Sequence, residues 1–313
     1  MYEEIAHNRR ITWLLIVGFI IFIALLGYVF GRLTYFGYWG VAVALAIAIF
    51  MSWTSYYYSD RIVLSISGAH GAEKTEYPYL YNTVEGLAIA AGIPMPKLYV
   101  IDDRAPNAFA TGRDPEHSAI AVTAGLLSMM DRLELEGVIG HEMSHIADYD
   151  IRLSTIAVVL VGSVFLLSAW MRQSFFWGGM RRSRDSQGAG PIIAILGLIL
   201  IILAPIAAQL MRLAISRNRE YLADAQGAML TRYPPGLAGA LRKLAADKHT
   251  LRTANEATAH LFIVNPLKNE GETGSRVTEL FSTHPPIEER IKRLDEMSLG
   301  EAPAGPGELP AQR

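Results

Sequence analysis

The sequence predicts a mostly α-helical chain with a small β-sheet, anchored in a membrane by about four hydrophobic helices. Three observations predict it. Hydrophobic residues fill 51% of the 313 positions, more than a soluble domain needs for its core. The excess is concentrated in four stretches free of Asp, Glu, Lys and Arg, residues 11–31, 33–59, 153–171 and 186–211. The polar sequence between and after them carries the caps, short apolar runs and turn residues of a folded domain.

Each stretch supplies roughly 20 residues, the length of a bilayer-crossing helix. One alone could be a buried core helix, but four in a chain this short leave too little polar sequence to cover them. The first is read as a retained anchor, because its apolar run exceeds that of a cleavable signal peptide and no small-residue cleavage site follows. Trp39, Trp53, Tyr56, Tyr57 and Tyr58 are placed around the second as an interfacial belt would be, although clustered aromatics also serve in cores. Residues 1–59 therefore read as an amino-terminal helix pair and 151–215 as a second pair.

Residues 60–150 read as the first part of a polar domain. A helix over 79–91 is closed by Gly92, and short strands follow over 97–101 and 118–123, with a third candidate over 107–112. Asp131 and Glu134 form a capping-box pattern that starts a helix running through Leu135, Val138 and Ile139 into His141. Residues 216–298 read as the domain's second part, with a helix from Glu220, a break at Pro234 and Pro235, and a further helix to about Asp247. A last helix over 287–294 takes Pro285 and Pro286 into its first turn. The tail over 299–313, rich in Pro, Gly and Ala, reads as disordered.

A net charge of −2 and a pI near 6.5 give no electrostatic reason for a nucleic-acid partner. The absence of cysteine excludes disulfides and thiolate metal sites, so any transition metal must be held by His and carboxylate.

His141, Glu142 and His145 form the pattern H-E-x-x-H. Two histidines four residues apart on a helix lie on one face one turn apart, so both rings reach one zinc ion. Glu142, about 100° round the helix from His141, then faces the water that zinc acidifies, and its carboxylate moves the proton that peptide hydrolysis requires. Five residues with two free positions also arise by chance on a polar helix face. Gly137, Val138, Ile139 and Gly140 beside the motif favour a half-buried site.

A catalytic zinc site takes a third protein ligand and leaves the fourth position open. The extended motif with a third histidine fails, because position 148 is Asp and position 151 is Ile. A carboxylate is then expected. Glu220 and Asp224, four residues apart, could bind zinc and orient a ligand histidine respectively, although a solvated helix face has the same spacing.

The chain resembles the HtpX family of membrane-bound zinc metallopeptidases, relatives of the CAAX prenyl proteases. The matching residues are the amino-terminal hydrophobic pair, 106–112, 141–145, 216–224, 260–266, 282–286 and Arg290-Ile291. The resemblance implies a zincin-like fold and one zinc per chain bound by His141, His145 and Glu220, with Glu142 catalytic. It also implies endoproteolysis of misfolded or damaged membrane proteins at the cell membrane, with the catalytic domain on the cytoplasmic side.

Two further contacts are weighed. Asn107 and the strand after it could pair with an extended substrate as an edge strand, or could be an internal strand. His284 could stabilise the developing oxyanion, or could be a helix-entry residue before two prolines. The other histidines, His260 among them, lack ligand-like spacing and read as structural or exposed.

Rival classes make distinct demands. A transporter would place ionisable residues inside the hydrophobic stretches, and these hold none. A zinc-binding scaffold would bind metal without turnover. A prenyl-protein protease would share the site and differ in substrate. For topology, Arg9 and Arg10 before the first stretch against Arg32 after it place the amino terminus in the cytoplasm. Arg172, Arg181, Arg182 and Arg184 between the third and fourth stretches oppose full crossing by that pair, which would put them outside.

Overall fold

In the computed structural model, which describes residues 2–33, 37–160, 162, 216–254, 258–266 and 285–298, the amino terminus forms two long helices. These are α1 (Tyr2–Leu33) and α2 (Trp39–Ile66). Their segments Ala6–Val29 and Trp39–Ile66 are long and apolar enough to cross a membrane. A soluble core helix can pass that test, but it is mostly buried, whereas only 28% and 22% of these apolar windows are. Trp13, Leu14 and Leu25 on α1 and Phe50 on α2 stand largely exposed, as side chains facing lipid do. The facing sides are made of small residues. A Cβ on Gly27 would lie 2.3 Å from that of Ala44, so the backbones approach as membrane helices packed through glycine do.

The sheet follows, with β1 (Ala69–Gly71), then α3 (Pro78–Ala91), β2 (Lys97–Ile101), β3 (Ala108–Gly112) and β4 (Ser118–Thr123). Its order is β1-β2-β4-β3, with β2 and β4 parallel and both outer strands antiparallel to their neighbours. Gly92 closes α3 with φ +67°, a left-handed conformation that suits glycine. The three-residue β1 and the short α4 (Ala124–Met129) escape the sequence reading, both being too short for periodicity to register.

Next comes α5 (Arg132–Ala147), whose start carries the expected capping box. The Asp131 carboxylate accepts from the Glu134 N–H at 2.9 Å, and that of Glu134 accepts from the Asp131 N–H at 2.8 Å. After a turn, α6 runs over 150–160. The carboxy-terminal part supplies α7 (Arg217–Thr231), α8 (Pro234–Ala246) and α9 (Ile287–Ser298). Pro234 and Pro235 open α8 rather than merely breaking the chain, since the first turn needs no N–H from them. Pro285 and Pro286 precede α9 instead of lying in its first turn, and α9 extends beyond residue 294 to Ser298.

Almost every face of α5 is covered. Val138, Ile139 and Met143 join Val84 of α3, Ile120 and Val122 of β4 and Leu237 and Leu241 of α8 in one core. A second cluster joins Leu15 and Phe19 of α1 and Ala48 of α2 to Leu153, Ile156 and Leu160 of α6. The third hydrophobic stretch is described only over 153–160 and at 162. The fourth stretch, His284 and the tail from 299 lie outside the described residues.

Candidate metal centre

The central position of α5 buries His141 and Glu142, which expose 1% and 2% of their surface. His145, one turn on, is partly buried and lines a cleft. Helix geometry brings the two rings together, with Nε2 atoms 3.2 Å apart. Across from them, Glu220 in the first turn of α7 lies with Oε2 3.8 Å from His141 Nε2 and Oε1 3.6 Å from His145 Nε2. Glycine permits this approach of α5 and α7. A Cβ on Gly227 would fall 2.7 Å from the His141 backbone nitrogen.

The far side of each ring faces a carboxylate. Asp224 Oδ1 lies 3.0 Å from His141 Nδ1, and Asp150 Oδ2 lies 3.1 Å from His145 Nδ1. In the neutral rings, the proton therefore belongs on Nδ1, and both Nε2 atoms present lone pairs. Two lone pairs 3.2 Å apart cannot hydrogen-bond to one another; a cation satisfies both. The donor set of two imidazoles and one carboxylate, lying within 4.8 Å of one another, fits zinc with a position left open.

Charge points the same way. Glu142, Glu220, Asp224 and Asp150 surround the two rings, and the guanidiniums of Arg290 and Arg219 are set against them. Burial works against a charged His145 ring, yet the Asp150 hydrogen bond and the charges of Glu220, Asp150 and Glu142 lift its pKa to about 9. Positive charge is thus favoured between these donors. Burial pushes His141 the other way, below the ordinary histidine range. Burial also raises Glu142 to about 7, and the Glu220 charge adds to the rise. The Ala110 backbone N–H and the His145 charge temper that rise. A carboxyl poised near neutrality can both take and return a proton.

Asp224 has a second partner. Arg290, 1% exposed on α9, donates from Nε and Nη2 to its two carboxylate oxygens at 2.8 and 2.7 Å, and from Nη1 to the Ile263 carbonyl at 2.9 Å. Burial would raise the Asp224 carboxyl, but Arg290 and His141 outweigh it and hold it below the usual range. Sequence reasoning misses both Asp150 and Arg290 as site residues. Asp150 lies past the end of α5, beyond Tyr149 at φ +62°, where helical spacing no longer applies. Arg290 meets Asp224 across 66 positions, and no local pattern signals that contact.

The cleft is lined by Ala110, Glu142, His145, Glu220, His260 and Leu261, among others. His260, read from sequence as structural or exposed, is buried in its wall. Asn107 is not in that lining. Its Nδ2 donates to the Val264 carbonyl at 2.9 Å. The strand after it, β3, does lie at the sheet's edge and passes the site at Ala110. One other described group, Asp114, Glu116 and His117, brings three possible ligands together. There Asp114 already accepts from the His117 N–H at 2.8 Å, capping its own short helical turn.

The pattern of peptidase family M48 matches residues 73–298. Proteins called protease HtpX homolog are similar along nearly the whole chain. The one from Dictyoglomus turgidum is 50% identical over 295 residues, 94% of this chain and 93% of its own. Those from Caldanaerobacter subterraneus subsp. tengcongensis and Streptococcus gordonii are 47% identical over 304 residues and 45% identical over 306. They cover 96% and 95% of this chain, and 98% and 100% of their own. Among solved structures, S. mikatae Ste24p gives a TM-score of 0.49 at 21% identity, over 93% of this chain and 66% of that one. On the extent of the first match and the identity of these relatives, the chain belongs to peptidase family M48.

Proposed function

We propose that His141, His145 and Glu220 hold a zinc ion in this chain and that Glu142 is its catalytic acid and base. The family makes the protein a zinc-dependent, membrane-bound metalloprotease acting on peptide or protein substrates. The observation that carries the residue assignment is the convergence of two Nε2 lone pairs and the Glu220 carboxylate, each ring backed by its own carboxylate. When bound, zinc supplies the Lewis acidity that acidifies a water molecule and polarises the scissile carbonyl. Glu142 would take a proton from the attacking water and deliver it to the departing amine, a task suited to its raised pKa. Asp224 and Asp150 keep the His141 and His145 rings turned with Nε2 toward the cleft.

An extended substrate is read as pairing with the β3 edge near Ala110. Supporting this, β3 is the outer strand of the described sheet and its Ala110 lines the cleft. The wider reading is a zincin-like endopeptidase of the cell membrane with four crossings and a cytoplasmic catalytic domain. That domain would be split into residues 60–150 and 216–298 by the second helix pair. Misfolded or damaged membrane proteins are its proposed substrates, because a cleft next to apolar helices meets them first. His284 keeps its proposed contact with the oxyanion, and Asn107 holds the end of β3 rather than the substrate.

The test is casein cleavage by the full chain in detergent, with metal content measured beside it. Wild type should cleave and stop on zinc chelation. Glu142→Gln should keep zinc and lose cleavage, whereas Glu220→Gln should lose both. Full zinc occupancy in the Glu220 variant would remove Glu220 from the ligands. Metal-dependent cleavage that survives Glu142→Gln would remove Glu142 from proton transfer.

A further inference from the structure

Asn8 lies on α1 just before the first charge-free stretch and exposes 1% of its surface. A buried carboxamide needs its partners inside the protein, and these are all found. Nδ2 donates to Asp150 Oδ1 at 2.6 Å and to the Asp148 carbonyl at 3.2 Å, while Oδ1 accepts from Arg219 Nη1 at 3.2 Å. The surroundings fix which way the amide faces. Turned over, its oxygen would meet a carboxylate and a carbonyl, and its NH₂ would meet a guanidinium.

Every partner adjoins the metal centre. Asp150 gives Oδ1 to Asn8 and Oδ2 to His145 Nδ1, so the amide sets the plane of the carboxylate that faces the ring. Asp148 caps the carboxy end of α5, the helix that carries both histidines. Arg219 precedes Glu220 on α7 and also approaches Asp150 Oδ1 at 3.5 Å. Asn8 is thus bonded to segments next to His145 and to Glu220, from a helix that continues as a membrane span. Without its N–H groups, the Asp150 carboxylate could turn toward Arg219 and away from His145.

We propose that Asn8 is a positioning residue of the metal centre, through which the amino-terminal membrane helix holds the Asp150 carboxylate that orients His145. The inference rests on the ligand role of His145 proposed above. It makes α1 part of the site's construction as well as an anchor. A helix that only tethered the domain would leave zinc affinity indifferent to this amide, or would affect it independently of Asp150.

The experiment uses the full chain in detergent carrying Glu142→Gln, so that proteolysis does not intrude. The Kd for Zn²⁺ is read by competition with a chromogenic chelator. Asn8→Ala should raise Kd about 10-fold and Asp150→Ala about 10- to 100-fold, the usual range for losing a group that orients a ligand. The double variant should bind no more weakly than Asp150→Ala alone, because one residue acts through the other. Unchanged affinity in Asn8→Ala, or losses that multiply in the double variant, would overturn the proposal. Asn8→Leu nearly keeps the volume and carries the same comparison if the alanine variant fails to fold. If neither folds, the amide serves the fold rather than the site, and the proposal falls. His145→Ala with unchanged zinc affinity would overturn the ligand assignment itself, a result separable from any obtained at Asn8.

Discussion

Asp224 is shared between a ring of the candidate metal centre and a buried guanidinium, so its substitutions should separate two effects. Asp224→Ala removes the acceptor for His141 and leaves Arg290 charged in the core. Removing one partner of a buried pair costs about 3–5 kcal/mol, so this variant should unfold more readily as well as bind zinc poorly. Asp224→Asn keeps the shape and one acceptor oxygen. It should fold better than the alanine variant yet lower zinc affinity by roughly 10- to 100-fold. Chelator competition on a variant shown to be folded checks this, and an unchanged affinity would detach Asp224 from the metal. The meeting of His141 and His145 is legible in the sequence because a helix fixes side chains four positions apart. Glu220 is legible only through the wider family pattern, since its spacing suits a solvated face equally well. Asp150 and Arg290 are not legible as site residues, because a turn and a 66-position separation bring them in.

At the scale of elements, α5 holds its chemistry in place because neighbouring backbones touch it. Gly137 lies where a Cβ would be 2.5 Å from the Leu237 nitrogen of α8, and one on Gly227 of α7 would be 2.7 Å from the His141 nitrogen. A methyl group at Gly227 would find backbone rather than a flexible side chain, so relief requires α5 and α7 to move apart. Overpacking of this kind costs about 1–3 kcal/mol. Here it should also draw Glu220 away from the histidines. Gly227→Ala is expected to lower the denaturation midpoint and weaken zinc binding together, read by denaturant unfolding and chelator competition on one preparation. A stability loss with undiminished zinc affinity would show that the spacing of α5 and α7 does not govern the site. The capping box and the Gly92 stop make the helix boundaries readable in advance. The glycine contacts are not readable, because they depend on which helix lies opposite.

Across the whole molecule, His145 comes before the third hydrophobic stretch and Glu220 after the fourth, yet they lie 3.6 Å apart. Whatever path the intervening chain takes, it returns to the side it left. The amino terminus is on that side too, since Asn8 bonds to Asp148 and Asp150. Two crossings by α1 and α2 would then deliver the chain to β1 and the sheet next to the site. On the topology proposed above, Arg9 and Arg10 at this end of α1, against Arg32 at the other, would make the shared side the cytoplasm. The packing of Leu153, Ile156 and Leu160 against Leu15 and Phe19 brings the start of the third stretch into the same apolar layer. Full crossing by the second pair would carry Arg172, Arg181, Arg182 and Arg184 outside, against the charge rule; a hairpin that turns back would not. The chain has no cysteine, so a single introduced thiol reports alone. Ser67 is too buried to serve, whereas Thr75 is exposed on the polar domain. Thr75→Cys should resist an impermeant thiol reagent on intact cells and react after lysis. Ser183→Cys should react on intact cells if the second pair crosses, as the four-crossing reading requires, and resist if it turns back. Labelling of the Thr75 variant on intact cells would put the catalytic domain outside, and the arginines at the start of α1 would then have to be explained by contacts such as that of Arg9 over the Tyr149 ring rather than by the membrane.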